Sequence, residues 1–362
     1  MNSPSKQRLV VFYTEALGGG ILRVLDQLIK AQTKDGTKTT LAYLERANSL
    51  SNQKVREMFP DTNIIHLGKS NIWGLFRLGM HTFQLLKSKN DVVIHFHSSW
   101  AGAVGRFCAV FFRKSRTFYS PHGFSFLRTD VSKIIRKLFW LIELILSRIS
   151  PTVLVAYGSG EFQIAKSLDK RARKINHYLN LLSKLGTPIR GNVSKRPVIS
   201  TLGRITDAKN PSRFIELSKE FKSQADFVWI GDGERQKWDF DGSDVLITGW
   251  QDAAGVDKYL KNTDIFVLLS DWEGLPFSVF DAVALSLPVV IWNFPGAHDL
   301  LMNGEAGKVC QTVNELNETI KSLISSTDLR IQHGIKGHVA FSNSFSYEEF
   351  AQTINEIYFR NE

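Results

Sequence analysis

Cysteine is almost missing from this chain of 362 residues: Cys108 and Cys310 lie far apart, in apolar or mixed surroundings, without the paired spacing of metal ligands. That excludes a disulfide framework and suits buried thiols in a reducing compartment. An apolar run ahead of a small-residue cleavage site is also missing, since residues 1–8 are polar and run directly into a strand-like segment. No secretion signal is read, and the cytoplasm is expected. In the most apolar segment, 131–149, the continuous apolar run 138–142 falls far short of the roughly 20 residues that cross a bilayer. The G-x-G-x-x-G fingerprint is absent: the first loop reads Thr14-Glu15-Ala16-Leu17-Gly18-Gly19-Gly20, which argues against hydride transfer. Aromatic residues are not interleaved with basic ones as a base-stacking surface requires, so nucleic acid is not an expected partner. There is no internal repeat, low-complexity tract or metal-ligand cluster.

What is present is a globular composition, with 43% apolar and 22% charged residues, long enough for two domains. The net charge of +10 is unevenly spread. Residues 1–175 carry 27 Lys and Arg against 11 Asp and Glu, net +16, while the remainder carries 18 against 24, net −6. Such asymmetry points the first half toward a polyanion.

Short runs rich in Val, Ile and Phe alternate with segments of helical period, the pattern of parallel sheets in an α/β fold. Strands are expected at 9–13, 39–43, 63–67, 92–96, 117–120 and 152–156, then at 198–202, 227–230, 245–247, 265–269 and 289–292. Each half reads as a doubly wound sheet. Gly186, Pro188, Gly191 and Pro197 make 185–197 a turn-rich connection, so the domains are set at 1–185 and 186–345. The closing segment 346–362 has helical spacing through Phe350, Ile354 and Ile357 and is expected to pack back on the first domain. Segment 131–149 combines apolar residues with Lys133, Arg136, Lys137, Glu143 and Arg148. It is either a helix buried beside the first sheet or a basic helix lying among lipid headgroups.

In open parallel sheets ligands sit beyond the carboxyl ends of strands, where loops meet helix N-termini. Polar and glycine residues follow strands repeatedly here. Gly18, Gly19 and Gly20 follow the first, as a tight turn or as backbone brought close to a phosphate or sugar; His97 and His122 follow two others. In the second half Gly203 and Arg204, then Gly231 and Gly233, then Glu273 and Gly274 do the same. The densest constellation is 271–281, DWEGLPFSVFD. Gly274 permits a sharp turn, Pro276 suits a first helical turn, and Phe277, Phe280, Ala284 and Leu287 bury one face. At about 1.5 Å per residue, Asp281 lies roughly 7 to 8 Å along the axis from Pro276. Two carboxylates thus flank a helix N-terminus whose N–H groups and dipole attract a diphosphate.

The stretch Glu273 to Asp281 resembles the E-x7-E signature of retaining glycosyltransferases with the GT-B fold, the large family-4 group, with Asp in place of the second Glu. Ser286 stands in the following segment where Gly is usual. Gly203-Arg204 through Lys209-Asn210 is similar to the family's G-R-x(4)-K-N element, and Gly231-Asp232-Gly233 to its G-x-G loop. The segments 97–102 and 121–124 resemble N-terminal elements of members that assemble bacterial surface polysaccharides. The likeness covers nearly the whole chain.

That resemblance implies two facing Rossmann-like domains and transfer of a sugar from a nucleotide-diphosphate donor without a bound metal. Glu273 would accept hydrogen bonds from donor-sugar hydroxyls and Asp281 from the ribose. Arg204 and Lys209 would neutralise the diphosphate, with backbone N–H groups from Gly274 and Leu275 and the turn at Pro276 beside them. His122 would face the reacting sugar, and the first domain, through Gly18 to Gly20 and His97, would serve the acceptor. With net +16, that acceptor is expected to be a polyprenyl-diphosphate-linked saccharide in O-antigen or capsule synthesis, and the protein peripheral at the anionic inner face of the cytoplasmic membrane. Two other readings fit the same residues: a membrane-associated scaffold of this fold without transfer, and a nucleotide-sugar epimerase that turns over without acceptor.

Overall fold

The computed structural model describes residues 8–46, 50–88, 91–176, 196–344 and 346–360. The chain forms two compact units, Met1–Asn176 with Glu348–Glu362, and His177–Tyr347. The expected boundary between residues 185 and 186 lies outside the described residues.

Among the described residues the first unit holds a seven-stranded sheet of β1 (Leu9–Thr14), β2 (Lys38–Glu45), β3 (Thr62–Lys69), β4 (Val92–His97), β5 (Arg116–Ser120), β6 (Val153–Ala156) and β7 (Arg173–Lys174). Its order is β3-β2-β1-β4-β5-β6-β7, every pair parallel. The helices α1 (Gly19–Lys34), α2 (Asn52–Met58), α3 (Ile72–Ser88), α4 (Ser99–Ala109), α5 (Lys133–Ile149) and α6 (Ser159–Leu168) connect the strands. Central strands β1 and β4 are buried on both faces, which is why they read as mainly apolar runs, β4 broken only by the buried His95 and closed by His97, whereas β3 at the edge alternates. Strand β7 was not anticipated, since two residues carry no period.

The second unit holds a six-stranded sheet of β8 (Val198–Leu202), β9 (Asp226–Ile230), β10 (Val245–Ile247), β11 (Ile265–Leu268), β12 (Val289–Trp292) and β13 (Lys308–Cys310), ordered β10-β9-β8-β11-β12-β13 and again parallel. Around it run α7 (Pro211–Phe221), α8 (Ala253–Lys261), α9 (Phe277–Ala284), α10 (Ala297–Leu300), α11 (Val313–Ser325) and α12 (Thr327–Ser344). Apolar clusters occupy both faces, one around Trp229 and Phe214, the other around Phe280 and Phe341. Strand β13 is also short and was not expected.

The last helix, α13 (Tyr347–Phe359), packs within the first unit. Gln32 Nε2 donates to Asn355 Oδ1 at 3.0 Å, Arg8 stacks 4.4 Å from the Phe359 ring, and the Tyr358 hydroxyl lies 2.6 Å from His95 Nδ1. Ser120 Oγ donates to the Val155 carbonyl at 2.7 Å and therefore accepts from His95 Nε2 at 2.8 Å. His95 Nδ1 is thus the acceptor of the Tyr358 proton.

Of the two readings of segment 131–149, helix α5 departs from the buried one. Its inward residues are Glu143, Leu146 and Ser147, while Ile134 is 82% and Leu138 53% exposed. Glu143 explains the attachment: Arg106 Nη2 of α4, wholly buried, lies 2.8 Å from Glu143 Oε2, and Tyr119 donates to Glu143 Oε1 at 3.0 Å. A buried ion pair with a hydrogen-bonded third partner holds one edge of the helix, and the remaining apolar surface stays outside.

Two predictions follow from strain and from buried titratable groups. Ser286, just beyond α9, takes φ 54°, a left-handed conformation that costs a side-chain-bearing residue about 1 kcal/mol relative to glycine. Ser286→Gly is expected to stabilise the second unit by about that amount in denaturant unfolding, and a destabilised variant would contradict this. His95 and His97 are wholly buried, and burial, followed by the neighbouring histidine charges, holds both pKa values well below 6.5. The unfolded chain therefore takes up protons below about pH 6.5 that the folded chain refuses, so stability is full above that pH and falls as it drops. Unfolding at pH 5.5 against pH 7.5 is expected to show a loss of about 3 kcal/mol for the first unit from these two residues, at roughly 1.4 kcal/mol per histidine over the pH unit below 6.5.

Candidate functional site

Strand order reverses between β1 and β4 in the first unit and between β8 and β11 in the second. At such a point successive connections leave on opposite faces of the sheet, and the loops part to form a crevice. Nearly every residue singled out from the sequence lies at the carboxyl ends of these four strands or of their neighbours.

In the second unit the loops after β8 and β9 are in backbone contact. Gly203 N–H donates to the Ile230 carbonyl at 3.0 Å, and Trp229 Nε1 donates to the Gly203 carbonyl at 2.9 Å. Gly231 has φ +138°, and a Cβ there would lie 2.3 Å from the Gly203 oxygen; at Gly233, φ +156°, a Cβ would lie 2.4 Å from the Ile205 oxygen. Only glycine fits either position. Arg204, exposed, runs its stem along Gly233 and brings its guanidinium 5.7 Å from the Trp250 ring.

Lys209 crosses the reversal. Its side chain passes over Gly203, where a Cβ would meet Lys209 Cε at 2.9 Å, and its Nζ reaches Glu273 Oε1 at 2.6 Å. Ser270 Oγ donates to the same oxygen at 2.6 Å. Both side chains are mostly enclosed, at 16% and 13% exposure, so the charges meet where water screens them weakly. This pair is held by three residues around it, of which Asn210 and Asp271 belong to the sequence motifs and Arg213 does not. Asn210, at φ 45°, caps α7 by accepting from Arg213 N–H at 3.1 Å and donates to Asp271 at 3.1 Å. Arg213 binds Asp271 at 3.1 Å and the Leu269 carbonyl at 2.6 Å, and stacks 3.9 Å from Trp292. Asp271 therefore fastens the β11 loop to the start of α7. The Asn210-Pro211 dipeptide was the sequence signal for that cap.

Gly274, Leu275 and Pro276 lead into α9, with Pro276 as its N-cap. Gly274 takes no left-handed φ, so the turn does not use the freedom expected of it; the left-handed residue of this stretch is Ser286. Asp281 is buried at the fifth position of α9, so it does not lie on a solvated helix face. Ser278 Oγ, in the first turn, is buried without a hydrogen-bond partner.

In the first unit, Thr14 and His97 are level across β1 and β4. His97 Nδ1 lies 2.8 Å from His122 Nε2, and His122 stacks on Tyr157 with ring centroids 5.3 Å apart. His97 Nε2 is buried with no partner. A proton there would be an orphaned donor, so His97 carries its proton on Nδ1 and donates to His122, whose own proton then sits on Nδ1. Burial pushes the His122 pKa down to about 3, which keeps it neutral. His122 has φ 56°, and the following Gly123 N–H donates to Glu161 Oε1 at 2.7 Å. Glu161 also accepts from Tyr157 N–H at 3.2 Å, and burial raises its pKa.

Glu15, 1% exposed, has the matching role at the reversal itself. It accepts from Ala101 N–H at 2.9 Å and Trp100 N–H at 3.3 Å, so it caps α4 from another strand's loop, and it pairs with Arg46 at 3.3 Å. The α4 N-terminus is thereby filled by protein. The α1 N-terminus is different: a Cβ on Gly18 or Gly19 would meet nothing within 4 Å, so the glycines leave exposed backbone rather than serve packing.

The chain resembles known proteins in sequence and in fold. Residues 188–339 match the model of "Glycosyl transferases group 1". The chain is 26% identical, over 69% of its length and 70% of the relative's, to the UDP-Gal:alpha-D-GlcNAc-diphosphoundecaprenol alpha-1,3-galactosyltransferase of Escherichia coli. It is 30% identical, over 39% of each chain, to the N,N'-diacetylbacillosaminyl-diphospho-undecaprenol alpha-1,3-N-acetylgalactosaminyltransferase of Campylobacter jejuni. The fold is similar to that of Anabaena Alr3699/HepE, solved in complex with UDP and glucose, with TM-score 0.77, 14% identity and coverage of 97% of this chain and 99% of that one. Two parallel-sheet Rossmann-like units, with a group 1 match over the second and these relatives, identify the chain as a glycosyltransferase of the GT-B fold.

Proposed function

We propose that the protein transfers a sugar, with retention of configuration, from a nucleotide-diphosphate donor to a polyprenyl-diphosphate-linked saccharide in the synthesis of O-antigen, capsule or a related surface polysaccharide. The observation that carries this is the enclosed Lys209–Glu273 pair across the strand reversal of the second unit. A carboxylate there, steadied by Ser270, can accept hydrogen bonds from sugar hydroxyls. Lys209, with Arg204 nearby on the same loop, offers positive charge to the diphosphate, where negative charge grows as the sugar–phosphate bond breaks. Those cations take the part a divalent metal plays elsewhere, so metal-independent transfer is proposed. The close glycines Gly203, Gly231 and Gly233 let a nucleotide approach backbone, and Gly274 to Pro276 present the α9 N-terminus to the diphosphate. Asp281 is assigned the ribose, and the departing phosphate the acceptor proton. His122, neutral with Nδ1–H, is assigned a sugar hydroxyl as a donor rather than a base; His97 holds that proton in place. Gly18 to Gly20 are assigned the acceptor phosphates.

The first unit supports an anionic membrane surface as partner and a peripheral place at the inner face of the cytoplasmic membrane. Ile134, Leu138 and Leu141 are exposed on α5 beside exposed Lys133 and Lys137, apolar and basic groups in the pattern of a helix at headgroup depth. Among the described residues no helix is long and apolar enough to cross a membrane.

Purified protein given UDP-sugars and a polyprenyl-diphosphate-linked sugar is expected to form a glycoside of retained anomeric configuration without added metal. Glu273→Gln is expected to lower kcat by about 100-fold or more with the fold intact; wild-type turnover by that variant would refute the assignment. Flotation on vesicles rich in anionic lipid is expected at low salt, weakening as salt rises and lost in Ile134→Glu. Sedimentation without the vesicles would remove the membrane from this account.

A further inference from the structure

Helices α3, α4 and α5 enclose a groove of about 930 Å³ on the first unit. Trp73, Phe76 and Met80 of α3, Trp100 and Phe107 of α4 and Ile145 of α5 line it. Five of these six are exposed by half or more of their surface or close to it: Trp73 71%, Phe76 61%, Phe107 59%, Trp100 54% and Met80 48%. So much contiguous apolar surface marks a binding face, and the volume falls within the roughly 300–1,000 Å³ of small-molecule sites. We propose that this groove holds the isoprenoid chain of the lipid-linked acceptor, a single hydrocarbon chain lying between the three helices with its diphosphate head at the Trp100 end.

Three observations choose that occupant. The groove is concave and distinct from the Ile134, Leu138 and Leu141 stripe, none of which lines it. A bilayer surface meets protrusions, whereas a chain fills a furrow. Second, the groove ends at the site: Trp100 lines it, and the same residue's N–H is bonded to Glu15 on the β1 loop, three residues after His97. A chain in the groove delivers its head to the strand reversal, where Arg46 is paired with Glu15 and the Gly18 to Gly20 backbone is exposed. Third, residues 1–175 carry net +16, which opposes a second copy of the same face and favours an anionic head.

The inference rests on the lipid-linked acceptor proposed above, and its test separates the two. Intrinsic tryptophan fluorescence would follow binding of dimethylallyl, farnesyl and geranylgeranyl diphosphates and of inorganic diphosphate, each below its micelle concentration and without vesicles. Affinity is expected to rise with chain length, at least tenfold from dimethylallyl to geranylgeranyl diphosphate. Ala103→Trp, which fills the groove from α4, and Met80→Trp, which fills it from exposed surface on α3, are each expected to lose that gain while still floating on anionic vesicles; Ile134→Glu is expected to keep the gain while losing flotation. Affinity independent of chain length would overturn the proposal. So would an unchanged chain-length gain in both filled variants, flotation lost in both of them, or self-association that both abolish. If transfer to the lipid-linked acceptor proceeds without any chain-length preference, the groove assignment fails alone; if chains bind but no sugar is transferred, the acceptor assignment fails and the groove stands.

Discussion

The contact between Lys209 and Glu273 joins two loops that the topology would otherwise drive apart. Strands β8 and β11 are neighbours in the sheet, and their loops diverge at the reversal of strand order. An ammonium crossing Gly203 to reach a carboxylate at 2.6 Å sets how far apart they stand. The rest of the second unit serves that distance. Asp271 ties its loop to Asn210 and Arg213, Gly231 lets the next loop touch Gly203, and the cap of α7 aims Lys209 across the gap.

A similar device recurs with different residues in the first unit. Glu15 caps α4 and Glu161 gathers the backbone of Gly123 and Tyr157, each a buried carboxylate that fixes a loop following a strand. Isolated buried charge is costly, so these carboxylates are surrounded by N–H donors. The histidines follow the same economy. Tyr358 of the last helix satisfies His95, and His97 settles which nitrogen of His122 bears the proton. Docking of α13 thus stabilises the core strand that carries the histidines.

Much of this was legible in the sequence, for definite reasons. Buried parallel strands write apolar runs, so eleven strands could be placed, even the three-residue β10 of Val-Leu-Ile, whereas β7 is Arg-Lys and β13 is Lys-Val-Cys, neither of which writes such a run. Glycines at Gly203, Gly231 and Gly233 mark approaches that a Cβ would block, and Asp281 follows Glu273 at a spacing set by a helix. Other features left no such trace. Glu15, Asp271 and Glu161 look like any surface carboxylate until their partners, many residues away, are known. The apolar period of 131–149 suited a buried helix, but Arg106 draws inward the edge that bears Glu143, and much of the apolar remainder faces outward.

The alternation of strands and helices, the two-unit organisation, the glycine-bearing loops and the uneven charge are written along the chain, because each depends on neighbouring residues or on composition. Folding settles the rest: Lys209 meets Glu273, Glu15 occupies the N-terminus of α4, His122 is held by His97, and α3, α4 and α5 leave a furrow between them. Those outcomes depend on contacts between residues remote in sequence, and such contacts exist only once the sheets have set which loops share an edge.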